Sequence, residues 1–286
     1  MTSRRLPFLF IFILLLSTTH LQANNGLQII TSIRPLQLIT NEILGTQGLA
    51  KLLIKSDQSP HHFQLKPSQL RLASKADLLI WISNDFETGL NRLQNILSPQ
   101  TQQLELIRNL PKSNLIGEHR NIDGHIWLSP ENVLIIAQLI SQKLSLLDPD
   151  NDQIYLSNTL KLTQKISQWK RESQQSIREL KPRYILDHNF LAYFERSFGL
   201  NNLGTLRNNH DEGSSIKQLS YLYSQLQTTP AQCLLVTALP LSSQAQQIST
   251  KFGLNTPVIN TLDTNNNYHS IIDLLDSIVK NISNCQ

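Results

Sequence analysis

The feature that most constrains the fold of this chain is a segment of about thirty residues, 151–180, that contains neither proline nor glycine. Its apolar residues, among them Ile154, Leu162, Trp169 and Ile177, recur at the three- and four-residue spacing of an amphipathic helix. Such a helix would be about 45 Å long at 1.5 Å per residue, well beyond the usual length in globular proteins. It is either one long helix inside a single domain or a rigid spine between two lobes. The second interpretation is favoured because the sequence pattern on its two sides looks alike.

On both sides of this segment, short apolar runs alternate with helical segments. This alternation is typical of α/β folds with parallel sheets. We therefore predict an α/β fold of two lobes, each with a parallel sheet flanked by helices, joined by one long rigid backbone helix. The predicted division is a signal peptide at 1–23, an N-terminal lobe at 24–150, the linking helix at 151–180 and a C-terminal lobe at 181–286.

The individual elements follow from apolar periodicity and from proline and glycine boundaries. The predicted strands are 27–33, 49–54, 77–83, 104–107, 184–186, 233–237 and 258–262. The predicted helices outside the long segment are 36–44, 67–73, 86–96, 129–147, 191–198, 216–225, 244–252 and 268–282. Ser129 and Pro130 are placed as the N-cap and first residue of one of these helices.

The N-terminus has the pattern of an export signal. Arg4 and Arg5 precede an apolar stretch at 6–16, and a polar region then ends at Ala23, where we expect cleavage. The apolar stretch is too short for a permanent membrane anchor, although a non-cleaved anchor is the alternative. No cysteine follows the expected cleavage site, which argues against a lipid-modified N-terminus. We expect export to the periplasm of a Gram-negative cell.

Cys233 and Cys285 are the two cysteines of the chain. An even number of cysteines in an exported protein indicates a disulfide. The bond would close a loop of about 52 residues and contribute roughly 4 kcal/mol on the chain-entropy model. The alternative is that both thiols complete a metal site with histidine, but their spacing resembles no zinc motif.

The charge pattern excludes one class of partner. The chain has 25 basic and 21 acidic residues, and the basic residues are scattered without the stripe of a nucleic-acid-binding protein. We therefore expect no nucleic-acid partner. The mature chain of about 263 residues is long enough to bury a sizeable core, and we expect it to be a monomer.

Three histidines in three separate short motifs carry the chemistry. His61 lies in Ser-Pro-His-His, His125 in Asp-Gly-His-Ile-Trp-Leu-Ser-Pro, and His188 in Tyr-Ile-Leu-Asp-His-Asn. Each ends an apolar run or lies beside a proline turn, and in parallel sheets ligands bind at the carboxyl ends of strands. Neutral imidazoles that converge from separate segments bind zinc and similar transition metals. If the fold brings the three together, the protein binds a metal.

With these motifs the sequence resembles the periplasmic solute-binding proteins of zinc and manganese ABC importers, most closely the zinc branch. The resemblance covers essentially the whole mature chain, and it is specific because the motifs occur in order and at matching spacing. The matching segments are 31–36, 59–62, 65–68, 76–81, 125–130, 193–195 and 198–200. The long helical segment and the cysteine pair also resemble features of the zinc branch. The resemblance implies two α/β lobes bridged by a long helix, with a metal bound in the cleft between them.

Carried over residue by residue, the resemblance implies that His61, His125 and His188 are metal ligands. The fourth position in relatives is often a carboxylate, which Asp263 matches, although water or another carboxylate occupies it in some members. Three imidazoles favour zinc, whereas manganese sites in this family exchange a histidine for a carboxylate. The implied function is capture of Zn²⁺ in the inter-lobe cleft and its delivery to an ABC permease in the inner membrane. A manganese-binding importer component and an adhesin-like protein are the alternatives.

Three positions depart from the family pattern. Relatives often have a loop rich in histidine and acidic residues before the second ligand motif, but here 114–123 offers His119 with two acidic residues. Asn189 follows the third ligand, where aspartate is common, and Ala238 stands where glutamate is usual. These departures leave altered affinity or a diverged role open.

A metal-dependent hydrolase is the competing class, because three histidines with an open fourth position also form catalytic zinc sites. The sequence lacks a convincing general base, a His-Glu-x-x-His helix and a serine nucleophile in a glycine-framed turn. We therefore predict a binding protein with no catalytic residues. An adhesin with this fold would be distinguished by a lipid-anchored N-terminus.

Overall fold

A computed structural model of the chain describes residues 26–55, 58–61, 63–118, 121–207 and 215–285. The predicted signal peptide lies outside these ranges, as do His62 and His119. Every helix within them is too short or too polar to cross a membrane.

The N-terminal lobe is built on a four-stranded parallel sheet. Its strands are β1 (Ile29–Thr31), β2 (Lys51–Leu52), β3 (Leu78–Trp81) and β4 (Gln102–Glu105), in the spatial order β2-β1-β3-β4. Its helices are α1 (Arg34–Leu44), α2 (Pro67–Ala73), α3 (Leu106–Asn109) and α4 (Pro130–Leu147). The predicted N-cap of α4 is confirmed, because Ser129 Oγ accepts a hydrogen bond from the Asn132 N–H.

The C-terminal lobe repeats this architecture with a smaller parallel sheet. Its strands are β5 (Tyr184–His188), β6 (Thr205–Arg207) and β7 (Cys233–Leu235), in the order β6-β5-β7. Its helices are α6 (Ala192–Phe198), α7 (Ile216–Thr228), α8 (Ser243–Phe252) and α9 (Ile271–Ser283). The prediction of parallel sheets flanked by helices is therefore confirmed.

The long helix α5 (Asp152–Leu180) has 29 residues and is about 44 Å long. It packs against α1 and α4 of the N-terminal lobe and against α9 from the end of the chain. Its buried face includes Leu162, Ile166 and Trp169. One continuous hydrophobic core contains side chains of both lobes and of α5. The helix therefore packs against both lobes. The lobe boundaries predicted at 150 and 181 stay predictions.

Most of the predicted strands are shorter in the structure, and three predicted elements differ further. The helix predicted at 86–96 is a 3₁₀ helix at Thr88–Asn95, where Gly89 lies so close to Phe63 that a β-carbon would clash with the Phe63 carbonyl. The strand predicted at 104–107 ends at Glu105, and the chain turns directly into α3. The strand predicted at 258–262 is reduced to a bridge at Val258, because the chain then turns with hydrogen bonds such as Asp263 N–H to Asn260 O.

The disulfide prediction is confirmed. Cys233 in β7 is bonded to Cys285 after α9, with their Cα atoms 5.4 Å apart. Both residues are fully buried. Neither thiol is free, which excludes the alternative of cysteine metal ligands.

Candidate metal site

His61 lies in the loop between β2 and α2, and its side chain is partly buried. The loop is fixed by a hydrogen bond of 2.9 Å from the Thr88 hydroxyl to the His61 carbonyl oxygen. The imidazole packs edge-on against the Phe86 ring, with centroids 4.4 Å apart. The ring is therefore positioned by aromatic packing at the cleft.

His125 directly precedes the 3₁₀ helix Ile126–Leu128, which leads into α4. Its Nδ1 lies 2.7 Å from Asp123 Oδ1, and the same oxygen accepts a hydrogen bond from the His125 backbone N–H. Gly124 allows the Phe86 ring to approach this turn, because a β-carbon there would overlap the ring. An imidazole held through Nδ1 by a carboxylate binds a metal through Nε2.

His188 is the last residue of β5 and is 1% exposed. Its Nδ1 lies 2.8 Å from Oδ1 of the preceding residue, Asp187. The other oxygen of Asp187 is 3.7 Å from an Arg207 guanidinium nitrogen. Burial lowers the pKa of His188, and the Asp187 carboxylate acts in the opposite direction. The net effect favours the neutral imidazole, which is the form that binds metals.

The structure brings the side chains of the three histidines together in a row, with His125 between His61 and His188. The ring centroids of His61 and His125 are 6.0 Å apart, and those of His125 and His188 are 6.3 Å apart. Imidazoles that share one zinc at Zn–N distances of about 2.0 Å have centroids roughly 5 Å apart. Accordingly, no three histidine, cysteine or acidic side chains among the described residues are close enough to hold a metal as they stand. The arrangement is slightly more open than a metal-bound one.

His61 and His125 lie at a cleft between the lobes, and His188 is buried next to His125. A cavity of about 270 Å³ is lined by His61, Phe86 and His125 from the N-terminal lobe and by Thr237, Ala238 and residues 260–262 and 264 from the C-terminal lobe. Ala238, one of the departures from the family pattern, therefore faces the cavity. Asn189, the other departure next to a histidine, is exposed.

Asp263 lies beside this cavity, but its carboxylate is bonded elsewhere. Oδ2 accepts a hydrogen bond of 3.1 Å from Arg34 Nε, and the side chain is 0% exposed. Oδ1 accepts hydrogen bonds from the backbone N–H groups of Asn267 and Tyr268, at 2.7 and 3.3 Å. A role for Asp263 as the fourth ligand stays a prediction.

Sequence reasoning overlooked several side chains that position the histidines. Asp187 and Asp123 lie one and two residues before His188 and His125, so the Asp-His and Asp-x-His spacings were a readable signal. Phe86 had no such signal, since it meets His61 only through the fold.

Comparison with known proteins finds relatives among metal-uptake proteins. The family model described as ZnuA, zinc-uptake complex component A, periplasmic, matches residues 29–285. A high-affinity zinc uptake system protein ZnuA from Haemophilus ducreyi is 26% identical over 234 residues, which cover 72% of this chain and 75% of that protein. The manganese ABC transporter substrate-binding lipoprotein PsaA of Streptococcus pneumoniae is 24% identical over 230 residues, covering 77% and 74% of the two chains.

Solved structures show the same fold. A crystal structure of ZnuA superposes with a TM-score of 0.80 at 21% identity, covering 91% of this chain and 99% of that chain. The AdcAII protein of Streptococcus pneumoniae gives a TM-score of 0.79 at 21% identity, covering 91% and 98%.

Proposed function

We propose that this chain, which belongs to the family of periplasmic zinc-uptake complex component A proteins, captures Zn²⁺ in its inter-lobe cleft for an ABC importer. The observation that carries the proposal is that His61, His125 and His188, from three separate segments, lie side by side, and that two of them line the cavity between the lobes. The family consists of substrate-binding transport proteins, so the hydrolase alternative has no support from it.

The proposed ligands are the three imidazoles, with Zn²⁺ as the transported cargo. Asp123 Oδ1 lies 2.7 Å from His125 Nδ1 in a hydrogen bond that orients this ring for binding through Nε2. Asp187 Oδ1 lies 2.8 Å from His188 Nδ1, and we propose that this electrostatic contact has the same effect on the second ring. Binding requires the rings to move closer by roughly 1 Å to reach Zn–N distances of about 2.0 Å. Asp263 or a water molecule would complete the site.

The donor set favours zinc over manganese. Imidazole nitrogens suit borderline ions such as zinc, whereas manganese prefers carboxylate and other oxygen ligands. The named zinc-uptake relatives agree with this preference, although manganese-binding proteins also occur among the matches.

The remaining parts of the proposal concern location and delivery. The chain is exported through its N-terminal signal, acts in the periplasm as a monomer and delivers its ion to the permease of an ABC importer. Release then requires docking on the permease to disturb the site, because a tightly bound ion does not leave by itself at a useful rate.

The test is zinc stoichiometry and competition affinity of the mature, oxidised protein. A triple variant, His61→Ala with His125→Ala and His188→Ala, is compared with the wild type. His269→Ala is the matched control, because His269 is an exposed histidine before α9. We expect one tightly bound zinc per chain, lost in the triple variant and retained in the control. Absence of tight zinc in the wild type would contradict the proposal.

A further inference from the structure

Arg34 and Asp263 form an ion pair between the lobes, next to the proposed metal site. Arg34 is the first residue of α1 in the N-terminal lobe, and Asp263 lies 229 residues later in a turn of the C-terminal lobe. Their side chains are 18% and 0% exposed. The residues on both sides of Asp263, Leu262 and Thr264, line the cavity that contains His61 and His125.

The pair is held by further hydrogen bonds at both ends. The guanidinium of Arg34 also donates to Gln37 Oε1 at 2.7 Å and to the Tyr268 carbonyl oxygen at 3.1 Å. The second carboxylate oxygen of Asp263 accepts from two backbone N–H groups. Both oxygens of the carboxylate therefore accept hydrogen bonds, and groups of both lobes hold the guanidinium in place.

This arrangement opposes coordination of a metal by Asp263. A metal on Oδ2 would either share this oxygen with the Arg34 guanidinium, which places two positive charges close together, or displace Arg34 and leave a largely buried guanidinium without its counter-charge. Breaking a buried ion pair by removing one partner is strongly unfavourable. Arg34 and the metal thus compete for one carboxylate.

We propose that Arg34 is a selectivity-determining residue, which withholds Asp263 from the metal and leaves a site of three imidazoles with a position for water. The proposal rests on the zinc-binding function proposed above. Without a carboxylate the donor set suits zinc, which binds well to three histidines and a water molecule. Manganese loses the oxygen ligand that it prefers. Release of Asp263 from Arg34 should therefore shift the site toward manganese.

The test compares Zn²⁺ and Mn²⁺ affinities of the mature, oxidised protein with those of Arg34→Gln, Asp263→Asn and the double variant. Asp263→Asn should leave zinc affinity within about threefold of the wild type, since no ligand is lost. Arg34→Gln should increase manganese affinity by about tenfold or more, with a smaller change for zinc. The double variant should lose this gain, because the freed carboxylate is absent.

Two results would overturn the proposal. One is a loss of zinc affinity of about tenfold or more in Asp263→Asn, as expected for a true ligand or its close support. The other is an equal change of both affinities in Arg34→Gln. Circular dichroism establishes which variants fold. If a single variant does not fold, the double variant, which leaves neither charge unpaired, decides: zinc affinity within about threefold of the wild type supports the proposal, and a loss of about tenfold or more overturns it. A wild type that binds no zinc would instead refute the proposed function itself, and this inference with it.

Discussion

The indole Nε1 of Trp127 donates a hydrogen bond of 3.0 Å to the carbonyl oxygen of Thr261, across the cleft between the lobes. Trp127 is 0% exposed and Thr261 is 5% exposed. Trp127 follows His125 by two residues, and Thr261 lines the cavity. The bond therefore links the two lobes beside the proposed metal site.

Replacement of Trp127 by phenylalanine should destabilise the protein by about 1–3 kcal/mol, because the buried Thr261 carbonyl loses its donor. The measurement is the free energy of unfolding of the metal-free protein in urea. Trp81→Phe is the matched control, since Trp81 is also buried but its Nε1 forms no hydrogen bond within the described structure. Equal destabilisation by the two substitutions would show that the bond to Thr261 contributes nothing.

Asp187 should be a positioning residue for His188, to which it is adjacent in sequence and in space. Asp187→Asn should weaken zinc binding by about 10- to 100-fold, the usual effect of removing a carboxylate that orients a metal-binding histidine. Competition titration with a zinc chelator measures the change. Asp150→Asn, at an exposed site before α5, should leave the affinity unchanged. Unchanged affinity in Asp187→Asn would show that β5 alone orients the ring.

The overall fold was predictable from the sequence because its signals are local. The absence of proline and glycine from 151–180 and the helical spacing of its apolar residues led to α5, which begins at Asp152 and ends at Leu180. The nearly continuous apolar run around β3 indicated a strand buried on both faces, and all four of its residues are buried.

The details of the site depend on contacts that no local pattern encodes. Arg34 reaches Asp263 across 229 residues, so the sequence could not reveal that the predicted fourth ligand is already bonded. Likewise, the segment predicted as a strand at 258–262 contains three β-branched residues, but the chain turns after the bridge at Val258 and places Asp263 at a φ of 50°. A contact between distant residues and a local turn therefore determine the structure around the predicted fourth ligand.

Glu131 at the start of α4 bonds to side chains of α5 and α6. We expect it to make the free energy of unfolding depend on pH in the acidic range. Burial raises its pKa, but hydrogen bonds from Lys170, Ser197 and Ser129 outweigh this effect and hold the pKa at about 2. The lysine belongs to α5 and Ser197 belongs to α6, so the carboxylate connects the long helix α5 with α4 of the N-terminal lobe and α6 of the C-terminal lobe.

Because the pKa of Glu131 is lower in the folded state, its contribution to stability is present above the ordinary value of 4.5 and is lost as pH falls toward 2. Glu131→Gln should remove this part of the pH dependence, as measured by urea unfolding between about pH 5 and pH 3. Glu118→Gln, an exposed glutamate, is the control. An acid dependence that is identical in the wild type and Glu131→Gln would contradict the assignment.

Glu87 should make the protein less stable as pH rises toward neutral, which is the opposite of the pH dependence expected for Glu131. It is fully buried, and desolvation raises its pKa to about 8, although the backbone N–H groups of Ile82 and Ser83 donate to it and act in the opposite direction. The folded protein therefore retains a proton between the ordinary value of 4.5 and about 8 that the unfolded chain has lost.

Stability must fall as pH rises through this window, because the unfolded state binds fewer protons there. We expect a decline on the order of a few kcal/mol from Glu87 alone. Glu87→Gln, which keeps an oxygen acceptor for the two N–H groups and cannot ionise, should flatten the profile, as shown by the free energy of unfolding of the metal-free protein from about pH 5 to pH 8. If the profile of Glu87→Gln is as steep as that of the wild type, Glu87 is not the group that titrates.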